Sequence, residues 1–189
     1  IFNLAKKIDQ NNENIINKLF FLYNEIEDIV SAKTIINKGL NIRPQNYFLL
    51  NLLGLIFIKQ EEIDKGISCY IQSIKSKNYF WPSYDNLLNI LQRTNKIHLY
   101  KKYIEEAKKI FIEESALYLH EANYYLRIKN FKKSKKILIN NDLINKLTTN
   151  EDHLVKYHDL LAKTFDNLDQ SDFAYLHFQK RNLIKFNQA

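Results

Sequence analysis

The hydrophobic positions of this 189-residue chain recur at helical spacing almost throughout. The clearest stretch is 47–80, YFLLNLLGLIFIKQEEIDKGISCYIQSIKSKNYF. Leu50, Leu53, Gly54 and Phe57 share one helical face. Lys59-Gln60-Glu61-Glu62 then breaks the pattern as a polar turn. Ile63, Gly66, Ile67 and Tyr70 resume it on a second helix. Gly54 and Gly66 predict a close approach of the two helices, because a residue without a side chain lets backbones come together where a larger one would hold them apart. The same pattern returns on either side. Ile16, Leu19, Tyr23, Ala32, Ile36 and Pro44 fill the slots one period earlier, and Tyr84, Leu87, Leu91, Ile104 and Ala107 one period later, with Tyr100 in the small-residue slot. Tyr118, Ala122, Tyr125, Ser134 and Leu138 come next, with Glu121 where Leu is expected. His158, Leu161, Ala162, Phe165, Ala174 and Phe178 follow after an insertion of six residues. The spacing predicts helix pairs in repeats 13–46, 47–80, 81–114, 115–148 and 155–188. Residues 1–12 read as the end of a truncated repeat. Turns are expected near Glu27-Asp28, Glu61-Glu62, Asn95-Lys96, Lys129-Asn130 and Asp169-Gln170, with the irregular stretch 139–152 ending in a cap at Thr148-Thr149-Asn150.

A period of 34 residues, a Leu-Gly pair in the first helix and small and aromatic slots in the second resemble the tetratricopeptide repeat. That resemblance implies an all-α fold, an α-solenoid of stacked helix–turn–helix repeats wound as a right-handed superhelix, with the chain as one such unit over 1–189. It also implies a concave face lined by first-helix positions not used for packing. Carried onto this sequence, these include Asn17, Asn51, Asp85, Asn89, Arg93, Asn123 and Arg127. Such a row would hold an extended peptide through amide hydrogen bonds and Arg–carboxylate pairs. The positions that form the cationic clamp of chaperone-tail binders are here Asn17, Phe21, Leu52, Pro82 and Asn86, with no cation among them. A narrower resemblance covers the last repeat. Phe173-Ala174, Phe178 and Asn182 look like the closing repeat of bacterial tetratricopeptide-repeat sulfotransferases, with Arg181 departing from the expected small residue.

Composition sharpens this reading. Three Gly and two Pro argue for helix nearly throughout. The chain has no Met and begins within a repeat, which reads as a piece of something longer. No run of apolar residues is long enough to span a bilayer, and no leader pattern is visible, so a cytoplasmic location and no membrane partner are expected. The single Cys69 sits beside the core residue Tyr70 and reads as a buried thiol.

The net charge of +7 is concentrated: residues 96–148 carry 12 basic and 6 acidic side chains. Lys101 and Lys102 occupy the same repeat positions as Lys135 and Lys136, so second helices are expected to share a basic patch extended by Lys108, Lys109, Lys132 and Lys133. That patch suits a solvated face or an acidic partner. Helices without an Arg-rich face and interleaved exposed aromatics argue against nucleic acid.

No Gly-rich phosphate loop, nucleophile elbow or Cys–His arrangement is present. His153 and His158 are not spaced to share a helical face, and His120-Glu121 has no third partner nearby. The sequence therefore predicts a non-catalytic scaffold with no metal and no cofactor, binding a protein or peptide rather than a small molecule. Two alternatives stay open: the arm of a sulfotransferase whose catalytic domain lies downstream, and a nucleic-acid-associated repeat protein using the basic patch.

Overall fold

The computed structural model describes residues 28–140, 147 and 150–187. Among these, regular structure is helical only: α1 Ile29–Ile42, α2 Tyr47–Lys59, α3 Ile63–Ser76, α4 Trp81–Arg93, α5 Ile97–Lys108, α6 Ser115–Arg127, α7 Phe131–Leu138, α8 Glu151–Asp166 and α9 Ser171–Asn187. The chain divides into two compact units, one ending at Ile90 and one beginning at Leu91.

Four hairpin turns have one geometry. Among the described residues, the non-glycine residues with positive φ are Glu61 (61°), Asn95 (54°), Lys129 (59°) and Asp169 (56°). The first three recur at the 34-residue period, and the fourth follows the six-residue insertion. Each ends a helix in the left-handed conformation, and the next residue closes the turn. The Glu62 N–H donates to the Phe57 carbonyl at 2.8 Å, Lys96 to Leu91 at 3.0 Å, Asn130 to Tyr125 at 2.8 Å and Gln170 to Phe165 at 3.0 Å. These bonds satisfy carbonyls that the helix ends would otherwise leave unpaired. Side-chain caps set several of the starts. Asp28 accepts from the Ser31 N–H at 3.0 Å, Asn130 from Lys133 at 3.2 Å and Asn150 from His153 at 3.0 Å. Asn46 accepts from both Phe48 and Leu49. Asn150 thus opens α8 as the sequence predicts, while Thr148 and Thr149 lie outside the described residues.

In the first unit, α1 packs on α2 through Ala32, Ile36, Leu49, Leu52 and Ile56. α2 and α3 form a hairpin whose seam is glycine-dependent. A Cβ on Gly54 would stand 2.5 Å from Tyr70 Cε1. A Cβ on Gly66 would collide with Ile58 Cδ1 and lie 3.2 Å from the Gly54 carbonyl oxygen. Tyr70 is 1 % exposed because it fills the space that Gly54 leaves.

In the second unit, α6 packs on both α5 and α7, and α8 on α6, α7 and α9. Leu119, Ala122, Leu138, Leu147, Tyr157, Leu160, Leu161, Phe165 and Ala174 form its core. Tyr100 occupies the slot where a small residue is usual. It is fully buried, its hydroxyl 3.0 Å from both His120 Nδ1 and the His120 carbonyl oxygen. The bulk is accommodated because the polar end of the ring finds partners.

Candidate interaction surface

The first helices of the hairpins carry the positions that the resemblance assigns to a partner. In the first unit these are Asn51 on α2 and Asp85 and Asn89 on α4. Asn51 is buried, and its Oδ1 accepts from Asn86 Nδ2 at 3.0 Å and lies 3.2 Å from Ser83 Oγ. Ser83 Oγ is 2.6 Å from Ser73 Oγ, which donates to the Tyr47 carbonyl at 2.6 Å. Asn51 therefore joins α2 to α3 and α4 through a buried polar network, whose members satisfy one another. Asn89 Nδ2 donates to Asp85 Oδ2 at 3.1 Å one turn apart. Asn17 lies outside the described residues.

In the second unit, Arg93 is exposed at the end of α4, and Arg127 is exposed at the end of α6 with Nη1 donating to Asn95 Oδ1 at 3.3 Å. Asn123, also on α6, is 5 % exposed, and its Nδ2 is buried without a hydrogen-bond partner. No other described side chain carries such an atom. A buried amide donor left unpaired costs about 1–3 kcal/mol.

The four lysines of the basic patch divide between two helices. Lys101 and Lys102 are exposed on α5, where Lys101 pairs with Glu105 at 3.6 Å and Lys102 lies over the Tyr103 ring at 5.3 Å. Lys136 is exposed on α7. Lys135 is half-buried there; it donates to Gln170 Oε1 at 2.9 Å and sits 4.9 Å from the Phe165 ring centre. Of the flanking cations, Lys108 is tied to Glu121 at 2.7 Å and Lys133 lies over Tyr125 at 4.3 Å. The Tyr125 hydroxyl holds the Lys133 ammonium above its ordinary pKa. Glu121, odd in a Leu slot, is the buried partner of Lys108, so that departure from the repeat pattern has a local cause.

Two contacts had little signal in the sequence. The Ser73–Ser83–Asn51 chain joins positions that read individually as solvated polar residues. His158 and His177 meet across the α8–α9 hairpin, Nδ1 to Nδ1 at 2.9 Å. Among the described residues, no group of three or more His, Cys, Asp or Glu could hold a metal ion, and no helix is long and apolar enough to cross a membrane. Cys69 is buried, and burial pushes its thiol up to about 11.

Stacked helix–turn–helix units closed by the same left-handed turn at a 34-residue period define a tetratricopeptide-type α-solenoid protein. Residues 4–145 match the family Anaphase promoting complex subunit 8 / Cdc23, and the chain belongs to that family. No curated protein sequence matches the chain significantly. Among solved structures, the fold resembles a chain of the APC/C hetero-tetramer Cut9-Hcn1, with TM-score 0.82 and 15 % identity over 98 % of this chain and 35 % of that one. The chain thus spans about a third of that match's length. MamA from Desulfovibrio magneticus RS-1 aligns with TM-score 0.71 and 12 % identity over 93 % of this chain and 96 % of its own. BtubC from P. vanneervenii aligns with TM-score 0.74 and 14 % identity over 93 % and 80 %. The chain is a helical-repeat protein of the tetratricopeptide type.

Proposed function

We propose that the chain binds an extended segment of a partner protein along the first-helix positions of its repeats. In the second unit Arg93, Asn123 and Arg127 would make the contacts. The carrying observation is the unpartnered amide of Asn123. A buried donor kept at a cost to folding is accounted for when a backbone carbonyl of the bound segment supplies its acceptor. Small side-chain movement would give that carbonyl access. The two exposed guanidiniums suit carboxylates on the same segment, each by a two-pronged hydrogen bond. Membership in a family named for a subunit of a multiprotein complex supports a protein as the partner.

The pattern that resembles a sulfotransferase arm has a structural account within the last hairpin. Ala174 is buried at the α8–α9 seam, Phe178 packs against the second core, and Asn182 Oδ1 accepts from Arg181.

The test is a binding titration with peptides selected from a random library on the immobilised protein. Asn123→Leu should weaken the selected peptides at least about tenfold, while raising the denaturation midpoint by removing an unpaired buried donor. Unchanged affinity in a folded variant would overturn the reading.

A further inference from the structure

The loops that follow α1 and α3 take the same backbone course one 34-residue period apart. The Arg43 N–H donates to the Gly39 carbonyl at 2.9 Å, and the Lys77 N–H to the Ser73 carbonyl at 2.9 Å. Three residues on, the Asn46 N–H donates to the Arg43 carbonyl at 3.0 Å and the Phe80 N–H to the Lys77 carbonyl at 3.3 Å. The repeat therefore brings a cation to the same point of two successive loops. Within the first unit these loops meet. Lys77 Nζ donates to the Tyr47 hydroxyl at 3.0 Å and lies 4.1 Å from the Tyr47 ring centre and 4.9 Å from that of Tyr79. Phe80 holds the Tyr47 ring edge-on at 4.8 Å. Among the described residues, Arg43, Pro44, Gln45, Asn46 and Tyr47 line an open cavity of about 510 Å3 here, a volume in the range of ligand pockets. The backbone bonds of Arg43 and the Asn46 cap on Phe48 and Leu49 fix the lining loop at both ends, so the cavity is formed before anything enters it.

Charge selects the partner. Residues 38–47 and 73–82 contain Lys38, Arg43, Lys75 and Lys77 and no Asp or Glu. Cations at helix C-termini complement the helix dipole. That accounts for the charge but not for the cavity, nor for the Tyr79 ring, which stays 67 % exposed beside Lys77. We propose that this edge of the first unit docks an acidic segment of a partner protein, with one apolar side chain in the cavity against Pro44 and Tyr47 and a flanking carboxylate on Arg43. Arg43 is exposed, and its planar fork suits a carboxylate bidentately. A second carboxylate reaches Lys77, whose ammonium the two tyrosine rings hold in place. A nucleic-acid strand carries a phosphate at every step and calls for a line of cations, whereas here two cations flank one apolar cavity. The site uses none of the first-helix residues proposed above, so its test is independent of theirs.

The probe is a fluorescein-labelled peptide, Gly-Glu-Asp-Phe-Asp-Glu-Gly, titrated onto the full chain by fluorescence anisotropy and followed by NMR. On the wild-type chain the amide signals of Gln45, Asn46, Tyr47 and Tyr79 should shift first, a readout that does not depend on any variant folding. Arg43→Glu should weaken binding at least about tenfold, because it replaces attraction with repulsion at an exposed position. Replacing the peptide's phenylalanine with serine should also weaken it about tenfold, the loss of one buried apolar side chain. Lys59→Gln, at the other end of α2 and roughly 18 Å along the helix from Tyr47, should leave affinity unchanged. Shifts confined to the surroundings of Asn123 and Arg127, affinity that survives Arg43→Glu in a folded protein, equal binding of the serine peptide, tighter binding of an oligothymidylate of equal charge, or no binding at submillimolar peptide would each overturn the proposal.

Discussion

Gly66 shows how a single missing side chain sets a hairpin. Its α-carbon faces Ile58 and the Gly54 carbonyl so closely that even one methyl group displaces a neighbour. Gly66→Leu should therefore destabilise the fold by about 1–3 kcal/mol through overpacking, read as a lower urea midpoint with an unchanged m-value. An unchanged midpoint would contradict the packing described. Lys129 illustrates the opposite case. Its φ of 59° strains a residue bearing a side chain, and glycine adopts that conformation freely. Lys129→Gly should stabilise by about 1 kcal/mol in thermal unfolding, the relief of strain outweighing the entropy glycine adds to the unfolded chain. A lower midpoint would mean that the lysine aliphatic stem packs more than its exposure suggests. The glycine slots and the turns at Glu61, Asn95, Lys129 and Asp169 were readable from spacing, because the repeat imposes the same local geometry wherever it recurs. The burial of Asn51 was not. An amide in a first-helix position reads as solvated until the serine positions that face it, Ser73 and Ser83, are known to converge on it.

At the scale of the element, the α8–α9 hairpin couples packing to protonation. His158 sits at about 4 in the folded chain against an ordinary value near 6.5. Its folded value is the lower one, so between these limits the unfolded chain binds more protons. Stability that is whole above pH 6.5 must then decline as pH falls towards 4, and His177, lowered by the same burial and the same Lys180, adds to the slope. Burial alone would raise Asp159, but hydrogen bonds and charge from Lys163 and Arg181 bring it below its usual range. Its contribution persists until lower pH, which separates the two effects. Urea midpoints measured from pH 7.5 to 4 should fall for the wild type and fall less for His158→Gln. Parallel curves would show that the imidazole pair does not carry the dependence. This pair was invisible in the sequence because His158 and His177 stand on different helices. Only the angle at which the hairpin closes brings their Nδ1 atoms together. Tyr100 is a parallel case at α5, where the repeat pattern asks for a small residue and the buried His120 supplies hydrogen-bond partners for a phenol.

For the whole molecule, the fold class was legible because one period governs three of the left-handed turns and the core slots between them, and a six-residue insertion displaces the fourth. The proposed interaction surface was legible only as a set of positions. The periodicity says which residues lie on first helices; it does not say that Asn123 holds an unpaired donor, that Asn51 is consumed inside the first unit, or that Lys108 and Lys135 are tied to Glu121 and Gln170. Both sets are partly engaged in local bonds, and it is the unpaired Asn123 donor that favours the first-helix positions as the proposed surface. The most direct measurement is photo-crosslinking of a library-selected peptide to the full chain, with the attachment sites located by mass spectrometry. Binding along first helices predicts attachment on α4, α6 and α8, including positions beside Arg93, Asn123 and Arg127. Attachment concentrated on α5 and α7, beside Lys101, Lys102 and Lys136, would contradict the account and assign recognition to the lysine-bearing helices.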